Sequence, residues 1–276
     1  MDKRSLVLFF SGLAAAGAAA VIALSCSDQP RIKCTAGRGA FAAKYTAMSV
    51  ADAGCSIVAE RLGVEAYNYP LPDKSNADLN RSSIAIKGDS IAIAIGNHNG
   101  NEDTTHKSIS QGDFGSAEPG GDNFCNVPSV TPAQQDLALI DAEPPPADAG
   151  PDAEGTKEIP ATSIKYEWSN VRFYVTPAAP GTQMVGDLTY TKDGCISTYH
   201  VTAVYPSVSC QVTDENGDGV FDDLGNPVLN PDLCLPEADP AHGRPTGSGI
   251  NPDFPVECEP KTALCVLSGE VPAFKK

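Results

Sequence analysis

The sequence predicts a mainly β protein: an antiparallel meander, barrel or sandwich, followed by a disulfide-rich irregular C-terminal section. Three observations predict it. Apolar and polar residues alternate in runs near 41–50, 63–69, 82–96, 163–176 and 186–206, the pattern of half-buried strands. Two of these runs double back on a pair suited to a tight hairpin turn, Gly88-Asp89 and Asp193-Gly194. Nine cysteines accompany 25 Gly and 23 Pro, so turns and disulfides carry weight that a large apolar core would otherwise carry.

The first 25 residues read as an export signal. Met1-Asp2-Lys3-Arg4 is a short charged head, and an apolar run over 6–24 follows, broken only by Ser11, Gly12 and Gly17. That run is long enough to span a bilayer uncleaved. Its Ala and Gly content, and the small residues before Cys26, favour cleavage instead. Giving Cys26 to a lipid leaves an even set of eight cysteines for an oxidising compartment: Cys34, Cys55, Cys125, Cys195, Cys210, Cys234, Cys258 and Cys265. The chain then divides into a signal peptide (1–25), a lipidated cysteine and tether (26–33), a β domain (34–209) and a cysteine-rich section (210–276).

Within the β domain, residues 41–50 form the first strand, flanked by Cys34 and Cys55. A bridge between those two is one of many pairings that eight cysteines allow. Residues 63–69 form a second strand before the break at Pro70 and Pro72. In the run 82–96, a two-residue turn at Gly88-Asp89 would set Ile86 opposite Ile91 and Ile84 opposite Ile93. Those isoleucines would share one face, with Ala85, Ala92 and Ala94 on the other. Periodicity is poor over 97–160. One short strand is expected at 137–140, and the Pro/Ala/Asp-rich stretch 141–158 is a solvated loop or linker.

In 163–176, Ile164, Tyr166 and Trp168 alternate, and then Val171, Phe173 and Val175 alternate on the opposite parity. The slip predicts a bulge at Ser169-Asn170. A turn at Asp193-Gly194 sets Leu188 opposite Tyr199 and Tyr190 opposite Ser197. From Cys210 onward the chain reads as stapled rather than packed.

The strongest chemical motif is a possible calcium loop at 214–223. Asp214, Asn216 and Asp218 stand at alternate positions, Gly219 permits the sharp bend, and the Val220 carbonyl and Asp222 complete the ligand set. It resembles the loops of thrombospondin type 3 and dockerin repeats; an EF-hand would carry Glu where Gly225 stands. Cys210 and Cys234 bracket it and could close it covalently. An acidic surface turn is the plainer reading, and calcium, if bound, has a structural role.

Gly88-Asp89-Ser90 is similar to the nucleophile turn of serine hydrolases, but the flanking glycines of that motif are missing and a hairpin explains Gly-Asp. His98 and His106 with Glu102 and Asp103 could hold a metal, although a solvated loop is the plainer reading. His200 lies in a strand. Trp168, Tyr166 and Tyr190 could line a pocket, but core packing is favoured. The net charge of −16 disfavours nucleic acid and anionic lipid as partners.

Two resemblances add to this. Ala23-Leu24-Ser25-Cys26 resembles the bacterial lipobox and departs from it at Ala23 and Leu24. That resemblance implies a thioether-linked diacylglycerol on Cys26, and Ser27 in place of Asp implies the outer membrane. Cleavage after Ser25 without lipid, giving a secreted or periplasmic soluble protein, is the alternative. The segments CTAGRGAFAAKYT, FCNVPSVTPAQQ, YEWSNVRFYVTPAAPGTQ and GRPTGSGINPDFPVEC, with the DAGPDA-type linker, resemble outer-membrane lipoproteins of myxobacterial type. The similarity covers most of the mature chain; it implies export and membrane anchoring and implies no activity. The expected function is a non-enzymatic lipid-anchored envelope lipoprotein, structural or binding an unknown protein or small ligand. A small-ligand-binding β-barrel comes second, and a serine hydrolase centred on Ser90 third.

Overall fold

The computed structural model describes residues 31–50, 56–143, 155–242 and 244–276. Cys26, Cys55, the signal segment and most of the low-complexity stretch lie outside the described residues. In chain order the elements are β1 Gly39–Val50, β2 Ala59–Pro70, β3 Ala77–Gly88, α1 Asp89–Asn97, β4 Ser110–Asp113, β5 Phe124–Val127, β6 Ala133–Leu137, β7 Thr162–Val175, β8 Pro180–Lys192 and β9 Cys195–Val204. The C-terminal section adds β10 Val256–Glu259 and β11 Leu264–Leu267.

The first nine strands form one antiparallel sheet in the order β4-β3-β2-β1-β9-β8-β7-β5, with β6 also on β7. It curls into a nearly closed barrel. Beyond β4 the next chain across is the stretch around β5 and β6: Thr131 N–H donates to Gln111 O at 2.8 Å and Gly115 N–H to Asn126 O at 2.9 Å. The approach at this seam is close. A Cβ on Gly112 would lie 2.4 Å from the Ser129 carbonyl oxygen, which is why glycine stands there.

Strand alternation sends one set of residues inside. Phe41 and Tyr45 of β1, Leu62 and Val64 of β2, Ile84 and Ile86 of β3, Tyr166, Trp168 and Phe173 of β7, Met184, Leu188 and Tyr190 of β8, and Tyr199 of β9 are all buried. The interior is therefore filled by aromatic and branched side chains. Trp168, Tyr166 and Tyr190 belong to this core, with Tyr166 packed edge-on to Tyr190 at 5.2 Å and stacked beside Trp168.

The expected bulge in β7 is present. Pairing with β8 shifts between Ser169 and Arg172, and Asn170 takes a positive φ of 53°. The extra residue lets Trp168 and Val171 both face the core. The turn at Asp193-Gly194 has φ of 50° and 83°, the double left-handed geometry of a tight hairpin. Leu188 pairs with Tyr199 and Tyr190 with Ser197, the register the sequence predicts.

The hairpin expected at Gly88-Asp89 is not formed. β3 ends at Gly88, and the next nine residues are α1, which packs against β2, β3, β6 and β7 across one end of the barrel. Alternating Ile and Ala suits either structure. As a helix it places Ile91, Ala94 and Ile95 (spacing i, i+3, i+4) on one buried face and leaves Ile93 60% exposed. Gly88 is needed because a Cβ there would sit 2.7 Å from the Tyr166 ring. The strand expected at 137–140 is also displaced: β6 ends at Leu137, and Ile140 forms an isolated bridge with Ile159.

The C-terminal section is packed as well as stapled. The β10–β11 hairpin lies against the outer face of β1, β2 and β9, where Ala42, Ala59 and Val204 meet Phe254, Leu264 and Val266 in a second core. Buried Gln183 of β8 holds the tail in place, accepting from Ala273 N–H at 2.8 Å and donating to Ala273 O at 2.9 Å. The disulfides differ from both pairings raised above. Cys34 bonds Cys125, not Cys55. Cys210 bonds Cys258 and Cys234 bonds Cys265, so no bridge joins Cys210 to Cys234 around the acidic loop. Cys258 and Cys265 face each other on the hairpin, and each reaches away to a separate partner. Cys195 is also disulfide-bonded.

Candidate functional site

The most densely connected polar group in the barrel is one carboxylate. Glu60 sits on β2 at a position whose alternation with Leu62 and Val64 points it inward, and it is 8% exposed. Its Oε1 accepts from Tyr45 Oη of β1 at 2.6 Å and from Tyr166 Oη of β7 at 2.7 Å. Its Oε2 accepts from the backbone N–H and the hydroxyl of Ser90, each at 2.9 Å. Four donors match the acceptor capacity of one carboxylate.

The arrangement follows from the helix. Gly88 precedes α1 and offers no side-chain cap, so the first-turn N–H of Ser90 would be orphaned in the interior. Glu60 supplies the missing acceptor and places negative charge at the positive end of the helix dipole. Burial is the largest influence on the carboxyl and raises its pKa, against the pull of its four donors. Burial first, and then the carboxylate beside them, push Tyr45 and Tyr166 well above the ordinary phenol range. Tyr190, mainly through burial, is pushed up to about 12.

Ser90 and Tyr190 also line a cavity of about 350 Å³ at the barrel end, together with Ile93, Asn97, His98 and Lys192. A serine hydroxyl directed at a buried carboxylate is the direction of proton flow a nucleophile needs. Two features work against that use here. The Glu60 oxygen that takes the hydroxyl proton also takes the Ser90 N–H, the donor an oxyanion site would require. His98 has both ring nitrogens against carbonyl oxygens, Ala94 O at 2.8 Å and Pro160 O at 3.1 Å, which ties the end of α1 to the chain entering β7.

The four loop residues that could hold a metal are brought together only in part: Asp103 and His106 meet, and Asp136 joins them. His106 pairs with Asp103 and lies 3.4 Å from Asp136, whereas Glu102 pairs instead with Lys87 and His98 is buried elsewhere. His200 bridges Asp187 at 3.0 Å and Glu270 at 2.9 Å, linking β8 and β9 to the C-terminal tail. Burial alone would lower its pKa, but the bonds to Asp187 and Glu270 outweigh it and hold the imidazole above its usual value.

The acidic loop is two similar turns in succession. Asp214 Oδ1 accepts the N–H groups of Asn216 and Asp218, and Asp222 Oδ1 accepts those of Leu224 and Asn226. Gly217 and Gly225 hold the matching left-handed positions, with φ of 88° and 79°. Asp214, Asn216 and Asp218 thus share one turn, Asp222 opens the next, and the Val220 carbonyl accepts from Gln211 Nε2 at 3.1 Å. These bonds lower the pKa of Asp214 and Asp222, so their contribution is present above the ordinary carboxyl value of 3.8 and is lost as pH falls through the depressed one. If Asp222 acts as a turn former, Asp222→Ala lowers the melting temperature equally in calcium and in chelator. A loss seen only with calcium present would make Asp222 a ligand.

The feature that sequence reading missed is Glu60 with Tyr45. The signal was available: Glu60 shares the parity of Leu62, Val64 and Ala66, and a lone carboxylate on the apolar face of a strand requires buried donors.

Fold and site together define a disulfide-bonded antiparallel barrel, filled by its own side chains, with a second core on its outer face. The chain belongs to the MlpA family, whose model matches residues 39–206, from the first residue of β1 to just beyond β9. It is 30% identical over 263 residues to a protein of Myxococcus xanthus named "Putative lipoprotein MlpA", covering 90% of each chain. No solved structure matches it. Among the described residues, no helix is long and apolar enough to cross a membrane.

Proposed function

We propose that this chain is a non-enzymatic lipoprotein of the outer membrane, attached through lipid on Cys26, whose barrel is a structural or partner-binding module. The observation that carries the reading is the filled interior. Tyr166, Tyr190, Tyr199, Phe41 and Phe173 occupy the space where a ligand-enclosing barrel would hold its guest, and the four lone pairs of Glu60 are engaged by the fold. Recognition then falls to the outside of the barrel. The lipoprotein name of the Myxococcus xanthus relative, similar over nine-tenths of both chains, supports the anchor. Because several acyl chains are needed for stable anchoring, the reading requires more than one chain on Cys26.

The test is the intact mass of the protein from a membrane fraction of a lipoprotein-competent bacterium, before and after reduction. The expected species starts at acylated Cys26 and gains eight hydrogens on reduction. Cys26→Ala is expected to abolish acylation and release the chain from the outer-membrane fraction. An unmodified chain in the soluble fraction of the wild type would overturn the anchor.

A further inference from the structure

The outer face of the barrel carries a groove beside the seam, with a volume of about 730 Å³. Outward positions on three neighbouring strands build it. Tyr67 of β2 pairs with Ser83 of β3, which pairs with Asp113 of β4. Tyr69 stands two residues further along β2 on the same face, ~7 Å away by strand geometry. Pro128, from across the seam, forms the far wall, and the groove also includes Phe114 and Gln111.

The aromatic groups differ in freedom. Tyr69 is braced: its hydroxyl donates to Asp113 at 2.7 Å, and the Arg81 guanidinium lies 4.7 Å over its ring. Tyr67, by contrast, is 53% exposed. A rigid surface with one open aromatic face, edged by a hydroxyl, an amide and a carboxylate, suits a ligand whose flat sides are C–H and whose rim is hydroxyl.

Size and charge narrow the class. The volume lies within the range of small-ligand sites, roughly 300–1,000 Å³, whereas a stable protein interface needs about 800 Å² from each partner. Asp113 in the groove and the net charge of −16 oppose an anion. Arg81 already lies over the Tyr69 ring, which leaves Tyr67 as the open aromatic surface of the groove. We infer that this groove binds an uncharged oligosaccharide, with sugar rings stacked on Tyr67 and hydroxyls bonded by Ser83, Gln111 and Asp113. The inference deepens the partner-binding reading by naming the chemistry of the partner.

The test titrates purified full-length protein in detergent with tetramers of β-1,4-linked glucose and of β-1,4-linked N-acetylglucosamine, followed by calorimetry and saturation-transfer NMR. An oligogalacturonate and a proline-rich peptide serve as anionic and polypeptide competitors. Saturable binding of a neutral tetramer is expected, weakened about fivefold to tenfold by Tyr67→Ala and retained by Tyr67→Phe. Tyr67 is half-exposed, so the melting temperature of the variant should match the wild type. If it does not, loss of the Tyr67 ring signal in the wild-type complex reports the same contact. Binding of neither tetramer, tighter binding of either competitor, or an affinity indifferent to Tyr67→Ala overturns the inference. Glycan binding in detergent does not depend on acylation, so failure here and failure of the anchor are separate results.

Discussion

Glu60→Ala is expected to destabilise the barrel by about 3–5 kcal/mol, measured as a shift in urea unfolding at pH 7. The substitution leaves two phenol hydroxyls, one serine hydroxyl and one helix N–H facing a cavity with no acceptor. Glu60→Gln keeps the shape but turns one oxygen into a donor. With the remaining oxygen kept on the Ser90 N–H, the new N–H2 group faces the two phenols, which must turn from donating to a carboxylate to accepting from an amide, for a loss of about 1–3 kcal/mol. A cost within error of zero for both variants would show that the network adds nothing to stability.

The same network sets an alkaline limit. Tyr45 and Tyr166 titrate above the ordinary phenol value of 10.0 in the folded chain. A group whose folded pKa is raised stabilises fully below its unfolded pKa, and that stability is lost as pH rises through the folded one. The raised carboxyl of Glu60 has the same sign at lower pH. Unfolding is therefore expected to become easier above about pH 10. The buried phenols should gain phenolate absorbance only as the chain unfolds.

Removing the Cys34–Cys125 bridge with paired serine substitutions is expected to cost about 4–5 kcal/mol. The bond closes a sequence separation of 91 residues, so its loss releases a large unfolded-state constraint. It also frees β5, which pairs with β7 on one side only and meets the seam on the other. Hydrogen exchange at Phe124–Val127 should accelerate more than exchange in the β8–β9 hairpin. Uniform acceleration across the sheet would mean that the bridge acts only on the unfolded chain.

The parts of this fold that the sequence made legible are those where local chemistry and tertiary packing agree. Asp193-Gly194 supplies the two left-handed residues its turn requires, and the flanking runs fix their own register. The β7 bulge could be read from a change of parity alone. Gly88-Asp89 misled because its glycine serves a long-range approach to Tyr166, 78 residues on, and not a turn. Short windows carry no trace of that contact. The disulfides were illegible for the same reason: Cys34 meets Cys125 only after the sheet has curled. The Glu60 network joins β1, β2, α1 and β7, so its donors come from parts of the chain that no single window contains.

The seam between β4 and the β5–β6 stretch has one more consequence. An open sheet of this size would end in two free strand edges, each a template for pairing with another copy. Here Gln111 and Asn126 give their carbonyls to Thr131 and Gly115 across the gap, and β4 is only four residues long. Under the anchor proposed above, copies of the chain would be confined to one leaflet and would meet in two dimensions, at local concentrations far above those in free solution. Closing the sheet on itself leaves little exposed edge from which such crowded neighbours could start to aggregate.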